Sequence, residues 1–279
     1  MNEWVRLTQR VAWLTPSEET DRPGLGYIKG SEASAAVDGG NSLKHMRLFL
    51  KHLREERLAV PTFTFLTHWH WDHIFGLGAL DNWIVASEET KKYMLPLQDQ
   101  DLEQEIRETD YQIKEEFTDE FDVALRMPSI VYKERCVFDL GNLTVLAQWV
   151  ESDHTADCSV FFVPEEKVLF IGDCLYCGAD HGQYYLDRLR YLTLLKTLLR
   201  FPAELYLDSH RKPITRERLR ADLEKVSRIA EVSVQYPDVG EALRFLEAEN
   251  RFDVDDDVAF YLKAFENGEK RNRGFTGNP

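Results

Sequence analysis

The segment "LTHWHWDHIFG" (residues 66–76) decides how this chain is read. Three of the eight histidines, His68, His70 and His73, fall within six positions of it, with Asp72 among them. The preceding "TFTFL" (62–66) alternates and is rich in Phe and Thr, so it reads as a strand ending at the histidines. If the chain stays extended, His68, His70 and Asp72 project to one side and Trp69 and Trp71 to the other, and His73 begins a helix. Imidazoles and a carboxylate gathered in one loop suit a borderline metal such as zinc, which takes His nitrogen at roughly 2.0–2.1 Å and Asp oxygen at about 2.0–2.2 Å. The histidines ligate in their neutral form. A lone histidine at a strand end is more often structural than a ligand, but three with an Asp at this spacing form a ligand pattern.

Further candidates follow later predicted strands: His154 in "WVESDHTADCSV", Asp173 in "LFIGDCLY" and His210 in "LYLDSHRKPI". Loops at strand ends converge on a single cleft, so the early cluster is read as half of a metal cage and the later strands as the source of the rest. Upstream, "LGYIKGSEASAAV" (25–37) reads as two strands around a turn, and "DGGNS" (38–42) as a turn in which Asn41 or Ser42 caps a helix over 43–57. Residues 73–80 are expected to be helical, 83–87 a strand and 87–126 mostly helical, the acidic run within 98–122 being a solvated helical face. The stretch 136–172 is strand-rich. A leucine-rich helix is expected over 184–200, then a short strand and helices over 215–267, with one apolar stripe at 219, 223, 226, 229 and 230. Strands and helices repeated twice suggest helices on the outside of two sheets.

The chain has 279 residues, 43% hydrophobic, enough for one large domain or one with an appendage. Its net charge of -15 opposes binding to polymeric nucleic acid. The N-terminus lacks the basic start and apolar stretch of a leader peptide, and no apolar run reaches the roughly 18 residues of a membrane span. The expectation is a cytoplasmic protein with no membrane partner, its four cysteines reduced.

The motif "HWHWDH", followed in order by "DHTADCSVFF", "LFIGDCLY" and "DSHRKP", resembles the His-x-His-x-Asp-His pattern and later ligand motifs of the metallo-β-lactamase-fold hydrolases over roughly residues 25–215. The resemblance implies an α+β fold, a four-layer αβ/βα sandwich with the metals between the sheet edges. A catalytic domain over 1–214, with its helical insert at about 87–126, would carry a C-terminal helical extension over 215–279. It also implies that His68, His70 and His154 hold one divalent ion, that Asp72, His73 and His210 hold a second, and that Asp173 bridges them. Zinc is the expected metal, with iron or manganese as alternatives. A carboxylate at 173 is similar to glyoxalase II and the lactonases, whereas exported zinc lactamases often carry cysteine there. Asp38 is either the aspartate that orients a ligand imidazole or a turn residue. The chain departs from the pattern at Asp153 and Ser209, where glycine usually precedes the histidine; a side chain there narrows the backbone's approach to substrate. "ADC" (156–158) also replaces the common Pro-Gly-Ser.

The function implied is hydrolysis of a small ester, thioester or lactone by a hydroxide shared between two metals. Asp72 would orient it and pass a proton to the leaving group. Tyr176, three residues after Asp173, is either an oxyanion donor or a core residue. Arg211 and Lys212 either grip an anionic group of the substrate or are exposed loop charges. Trp69 and Trp71 either floor an apolar pocket or pack in the core, Cys174 and Cys177 are read as a chance Cys-x-x-Cys, His181 as a surface residue, and His45 and His52 as structural. The alternatives are an iron-dependent oxidoreductase of the sulfur dioxygenase kind, a small-molecule phosphodiesterase and a non-catalytic metal-binding protein. The complete ligand set argues against the last. The helical tail either closes the cleft or forms a homodimer contact.

Overall fold

The computed structural model describes residues 2–107, 115–117, 121–180 and 182–274. The chain divides into two compact units. The first comprises residues 1–150, 157–173 and 202–214, and the second 151–156, 174–201 and 215–279.

The first sheet is seven-stranded among the described residues, and its order follows the sequence: β1 (Trp4–Arg6), β2 (Val11–Leu14), β3 (Leu25–Lys29), β4 (Ser34–Val37), β5 (Phe63–Phe65), β6 (Trp83–Ser87) and β7 (Ile130–Tyr132). The first four strands pair antiparallel and the last three are added in parallel. Then come β8 (Arg135–Asp139), β9 (Thr144–Trp149), β10 (Ser159–Val163), β11 (Val168–Gly172), the short β12 (Gly178–Asp180) and β13 (Gln183–Tyr185), β14 (Leu205–Asp208) and β15 (Ile214–Thr215). The second sheet runs β15-β14-β11-β10-β9-β8, and β12 pairs with β13 in a separate two-stranded sheet.

Alternation along the strands of the first unit builds its layers. Val11, Trp13, Ile28, Ala35, Val37, Phe65 and Val85 of the first sheet pack against Val145, Ala147, Phe161, Val163, Phe170 and Leu207 of the second. The intervening residues Ala12, Leu14, Leu25, Tyr27 and Ala36 point the other way. They are covered by Met46, Phe49 and Leu53 of α1 (Leu43–Glu55), whose N-terminus is capped by Ser42 accepting from the His45 amide. Further along the same outer face, Ile84 and Ala86 of β6 pack with Ile74 of α2 (Trp71–Ile74) and Met94 of α3 (Glu88–Met94). A short α4 (Leu102–Arg107) follows. The second unit carries the β12–β13 hairpin and the helices α5 (Arg188–Arg200), α6 (Arg216–Gln235), α7 (Val239–Glu249) and α8 (Asp256–Gly274). No helix among the described residues is long and apolar enough to cross a membrane.

Several elements differ from the sequence reading. The helix at the histidines begins at Trp71, two residues earlier than His73, because the His73 amide already donates to the His70 carbonyl. The segment 121–128 is irregular rather than helical. Its Ala124 exchanges backbone hydrogen bonds with Phe75 and Gly78, which occupies the groups a helix would need. The helix expected from 184 starts at Arg188, since Gln183–Tyr185 is drawn into the hairpin and Asp187 caps the helix. Strands β1, β2 and β7 were not foreseen. The rest of the expected 87–126 insert, residues 108–114 and 118–120, and His181 lie outside the described residues.

Candidate metal centre

Parallel neighbours β4 and β5 end side by side, so the residues that follow them emerge together. Asp38 follows β4 in the left-handed region at φ 65°, a conformation Asp tolerates better than most residues. Its amide donates to the Phe65 carbonyl at 2.8 Å, which turns its carboxylate toward the chain leaving β5. There Oδ1 accepts from the Thr67 amide at 2.8 Å and Oδ2 from the Thr67 hydroxyl at 2.9 Å, while Oδ2 lies 2.8 Å from His73 Nδ1. Thr67 Oγ1 is in turn 3.0 Å from His68 Nδ1.

In the second sheet β11 and β14 are also parallel neighbours, and Asp173 and His210 follow them. Gly172 is left-handed at φ 53°, and a Cβ there would stand 2.6 Å from Cβ of Thr67. Only glycine lets the end of β11 come this close to the histidine loop. After β14, Asp208 Oδ1 accepts from the amides of His210 and Arg211 at 3.0 and 3.1 Å, forming the turn that presents the imidazole.

These loops bring Asp72, His73, Asp173 and His210 together, with one ligand atom of each within 4.8 Å of the others. Asp72 Oδ2 is 3.1 Å from Nε2 of both His73 and His210, and Asp173 Oδ2 is 3.5 and 3.3 Å from the same atoms. Burial disfavours charge on all four, yet their mutual attraction outweighs it. It holds the His73 and His210 imidazoles well above their ordinary value and both carboxyls well below theirs. Nearby, burial pushes Asp208 up to about 6, with Arg211 opposing the rise.

The donor chemistry fits a cation. With its Nδ1 proton given to Asp38, neutral His73 turns the Nε2 lone pair toward two carboxylates. That nitrogen is buried and makes no well-aligned hydrogen bond among the described residues. A lone pair facing carboxylates is repulsive unless a proton or a metal ion stands between them, and two His with two Asp are donors that zinc accepts.

Residues 26–220 match the family described as the Metallo-beta-lactamase superfamily. The chain belongs to that superfamily. Its fold is the α+β sandwich of the metallo-β-lactamase type, as the resemblance implied. Among solved structures it is similar to a metallo-beta-lactamase from Pontibacter korlensis, with a TM-score of 0.61 and 18% identity, covering 81% of this chain and 99% of that one. It is also similar to the stereoselective inverting sec-alkylsulfatase Pisa1 from Pseudomonas sp., with a TM-score of 0.70 and 13% identity. All of this chain is covered there, but it spans only 51% of the alkylsulfatase. None of the curated proteins compared with it matches.

The remaining residues of the superfamily pattern stand as follows. His68 is buried, its Nε2 4.0 Å from Asp173 Oδ2, and its ring meets the half-buried His70 edge-on at 4.7 Å. His154 belongs to the second unit, on the segment 151–156. Its amide donates to Ser152 Oγ, which donates to the Cys174 carbonyl. Asp153 next to it is buried, and its side chain turns into the second unit, where Oδ2 accepts from the Asp187 amide at 3.0 Å and Oδ1 from Arg190 at 2.5 Å. Tyr176 is half-buried, with its ring 6.0 Å from that of His154. Ser209 is buried and its carbonyl accepts from the Gly24 amide.

Trp69 and Trp71 both pack against the Leu66–Phe75 cluster. Arg211 and Lys212 are exposed and line a cavity of about 710 Å³ with His210, Trp13, Leu7 and Pro213. Cys174 is buried and Cys177 half-buried, and no disulfide joins them. His45 is buried on α1 and His52 stacks on Trp4. Thr67 and Asp21 were not singled out in the sequence. Thr67 had a weak signal, a hydroxyl directly before the motif. Asp21, whose Oδ1 is 3.7 Å from His210 Nδ1, had none, and burial pushes its carboxyl up to about 6, aided by Asp72.

Proposed function

We propose that this protein is a metal-dependent hydrolase of a small ester, thioester or lactone, acting with two divalent ions, zinc by preference. The carrying observation is the Asp72, His73, Asp173 and His210 quartet, three of them buried and His210 half-buried, with one ligand atom of each within 4.8 Å of the others. In this reading the quartet would hold one ion, His68, His70 and His154 would hold the other, and Asp173 would serve both. Bound there, they would supply a water of lowered pKa and polarisation of the scissile carbonyl.

The side chains do the rest. Asp72, anchored in the first turn of α2, accepts a proton during attack and returns it to the leaving group. Asp38 and Thr67 keep His73 and His68 in the tautomers that leave Nε2 available. Tyr176 donates to the developing oxyanion. The cavity beside His210 lies within the roughly 300–1,000 Å³ of small-ligand sites and supports a substrate of that size. Its exposed Arg211 and Lys212 suit an anionic group on the part of the substrate that does not react.

The test is metal analysis of the purified protein coupled to a panel of lactones, thioesters, phosphodiesters and β-lactams. Turnover of a lactone or thioester that is lost with a chelator and restored by zinc is expected. Oxygen uptake with a persulfide, and no hydrolysis, would replace this reading with the redox one.

A further inference from the structure

Asp21 lies on the segment between β2 and β3, and that segment is tied down from four sides. Ser17 and Arg22 exchange backbone hydrogen bonds at 2.9 and 3.0 Å. Asn41 Nδ2, two residues beyond the Asp38–Gly39 turn, donates to the carbonyls of Thr20 at 2.8 Å and Asp21 at 3.3 Å. The Arg22 guanidinium forks onto the buried Glu116 at 2.9 and 3.0 Å. The Gly24 amide donates to the Ser209 carbonyl at 2.6 Å, the residue before His210. Asp21 itself is held in the left-handed region at φ 47°. Held this way, it presents Oδ1 to Nδ1 of His210, on the side of the ring away from Asp72 and Asp173.

The arrangement repeats that of Asp38 and His73. In both, an aspartate with positive φ faces Nδ1 of a quartet histidine whose Nε2 faces the carboxylates. The distance of 3.7 Å is longer than a direct hydrogen bond. A small side-chain rotation closes it, or one water spans it.

We infer that Asp21 is the positioning residue for His210: it keeps the proton on Nδ1, so that the Nε2 lone pair is aimed at the quartet ion and made more basic. This role rests on the quartet holding an ion, as proposed above. It predicts an effect on the ion that His210 would hold, since Asp21 faces that ring.

The test compares wild type, Asp21→Asn and Asp21→Gly as full-length protein. Both replacements tolerate the left-handed backbone, so strain does not confound the result. Zinc is titrated against a chromophoric chelator, with His210→Ala identifying the quartet step. The His210 ring is followed by proton–nitrogen correlation spectra. Both variants should bind the quartet zinc about 10–100-fold more weakly, Asp21→Gly the more so, with an unchanged unfolding temperature without metal. In the zinc-loaded protein the Nδ1–H proton of His210, which faces Asp21 in the wild type, should exchange with water faster in both variants. Wild-type zinc affinity and wild-type Nδ1–H exchange in both variants would overturn the role of Asp21 and leave the metal centre standing. A wild-type protein without a zinc step sensitive to His210→Ala would overturn both.

Discussion

Asp38 and His73 form a pair sealed from solvent, with Oδ2 2.8 Å from Nδ1 and side-chain exposures of 1% and 0%. The same carboxylate takes the amide and hydroxyl of Thr67. Asp38→Ala therefore strands three donors at once. Breaking a buried pair from one side costs roughly 3–5 kcal/mol, so the variant should unfold at markedly lower urea. Asp38→Asn keeps an acceptor for Thr67 and tolerates the backbone, and should lose less stability while still weakening zinc about 10-fold or more. Urea unfolding of the metal-free protein and a zinc titration read the two effects separately. An alanine variant within about 1 kcal/mol of wild type would show that the pair does not brace the loop.

Asp153 carries the second prediction. Its buried carboxylate joins the Asp187 amide, at the start of α5, to Arg190, which also reaches Glu151. It thereby fixes the segment that bears His154. Asp153→Ala removes hydrogen bonds to a charged group, each worth about 1.5–3 kcal/mol. Arg190 keeps a third of its side chain in solvent, so the lower end applies. Denaturant unfolding should show this loss, and binding of a zinc ion that needs His154 should weaken with it. If stability falls and zinc binding does not, the segment holds His154 by other means.

These residues also mark how far the sequence could be read. The quartet was legible because its members sit in short motifs, each just after a strand marked by alternation, as in TFTFL, or by a short apolar run, as in VLFIG. Asp38 was half legible, since a turn aspartate and an orienting aspartate look alike until Phe65 pulls its amide round. The direction of Asp153 was not legible, because a side chain beside a candidate ligand histidine says nothing about which way it turns, and here Arg190 and a helix start draw it inward. Asp21 was silent: its place depends on Asn41, Glu116 and Ser209, each remote in sequence. Strand β2 is hard to read for a different reason. Val11–Leu14 is buried at all four positions, so it shows no period-two alternation.

Protons should compete with the ion. The facing carboxylates hold His73 and His210 well above the ordinary imidazole value in the metal-free protein. A ligating imidazole must be neutral, so zinc binding should release protons from this pair. Affinity should rise with pH through neutrality. The metal-free stability follows the opposite sign. A raised imidazole contributes stability in full below about pH 6.5, and that contribution is lost as pH climbs through the raised value. The lowered Asp72 and Asp173 contribute above the ordinary carboxylate range and fade as pH falls through their depressed values. Unfolding temperatures with and without zinc should therefore diverge as pH rises from 6 to about 9. Calorimetric zinc titrations in buffers of different ionisation enthalpy count the protons, and a count of zero would mean that the imidazoles are already neutral.

Tyr176 separates a chemical role from packing. Its ring stands 6.0 Å from that of His154 and it is only half-buried, so its hydroxyl can be removed at little cost to the core. If the phenol donates to charge that grows only in the transition state, Tyr176→Phe should lower kcat by about 10²–10³-fold and leave KM and zinc content where they were. A packing role would shift the unfolding temperature and spare kcat. A hydroxyl that binds the substrate's resting carbonyl would raise KM instead. The measurement is steady-state kinetics on whichever lactone or thioester the panel shows to be turned over fastest, with metal content checked in the same preparation. An unchanged kcat would remove Tyr176 from the chemistry.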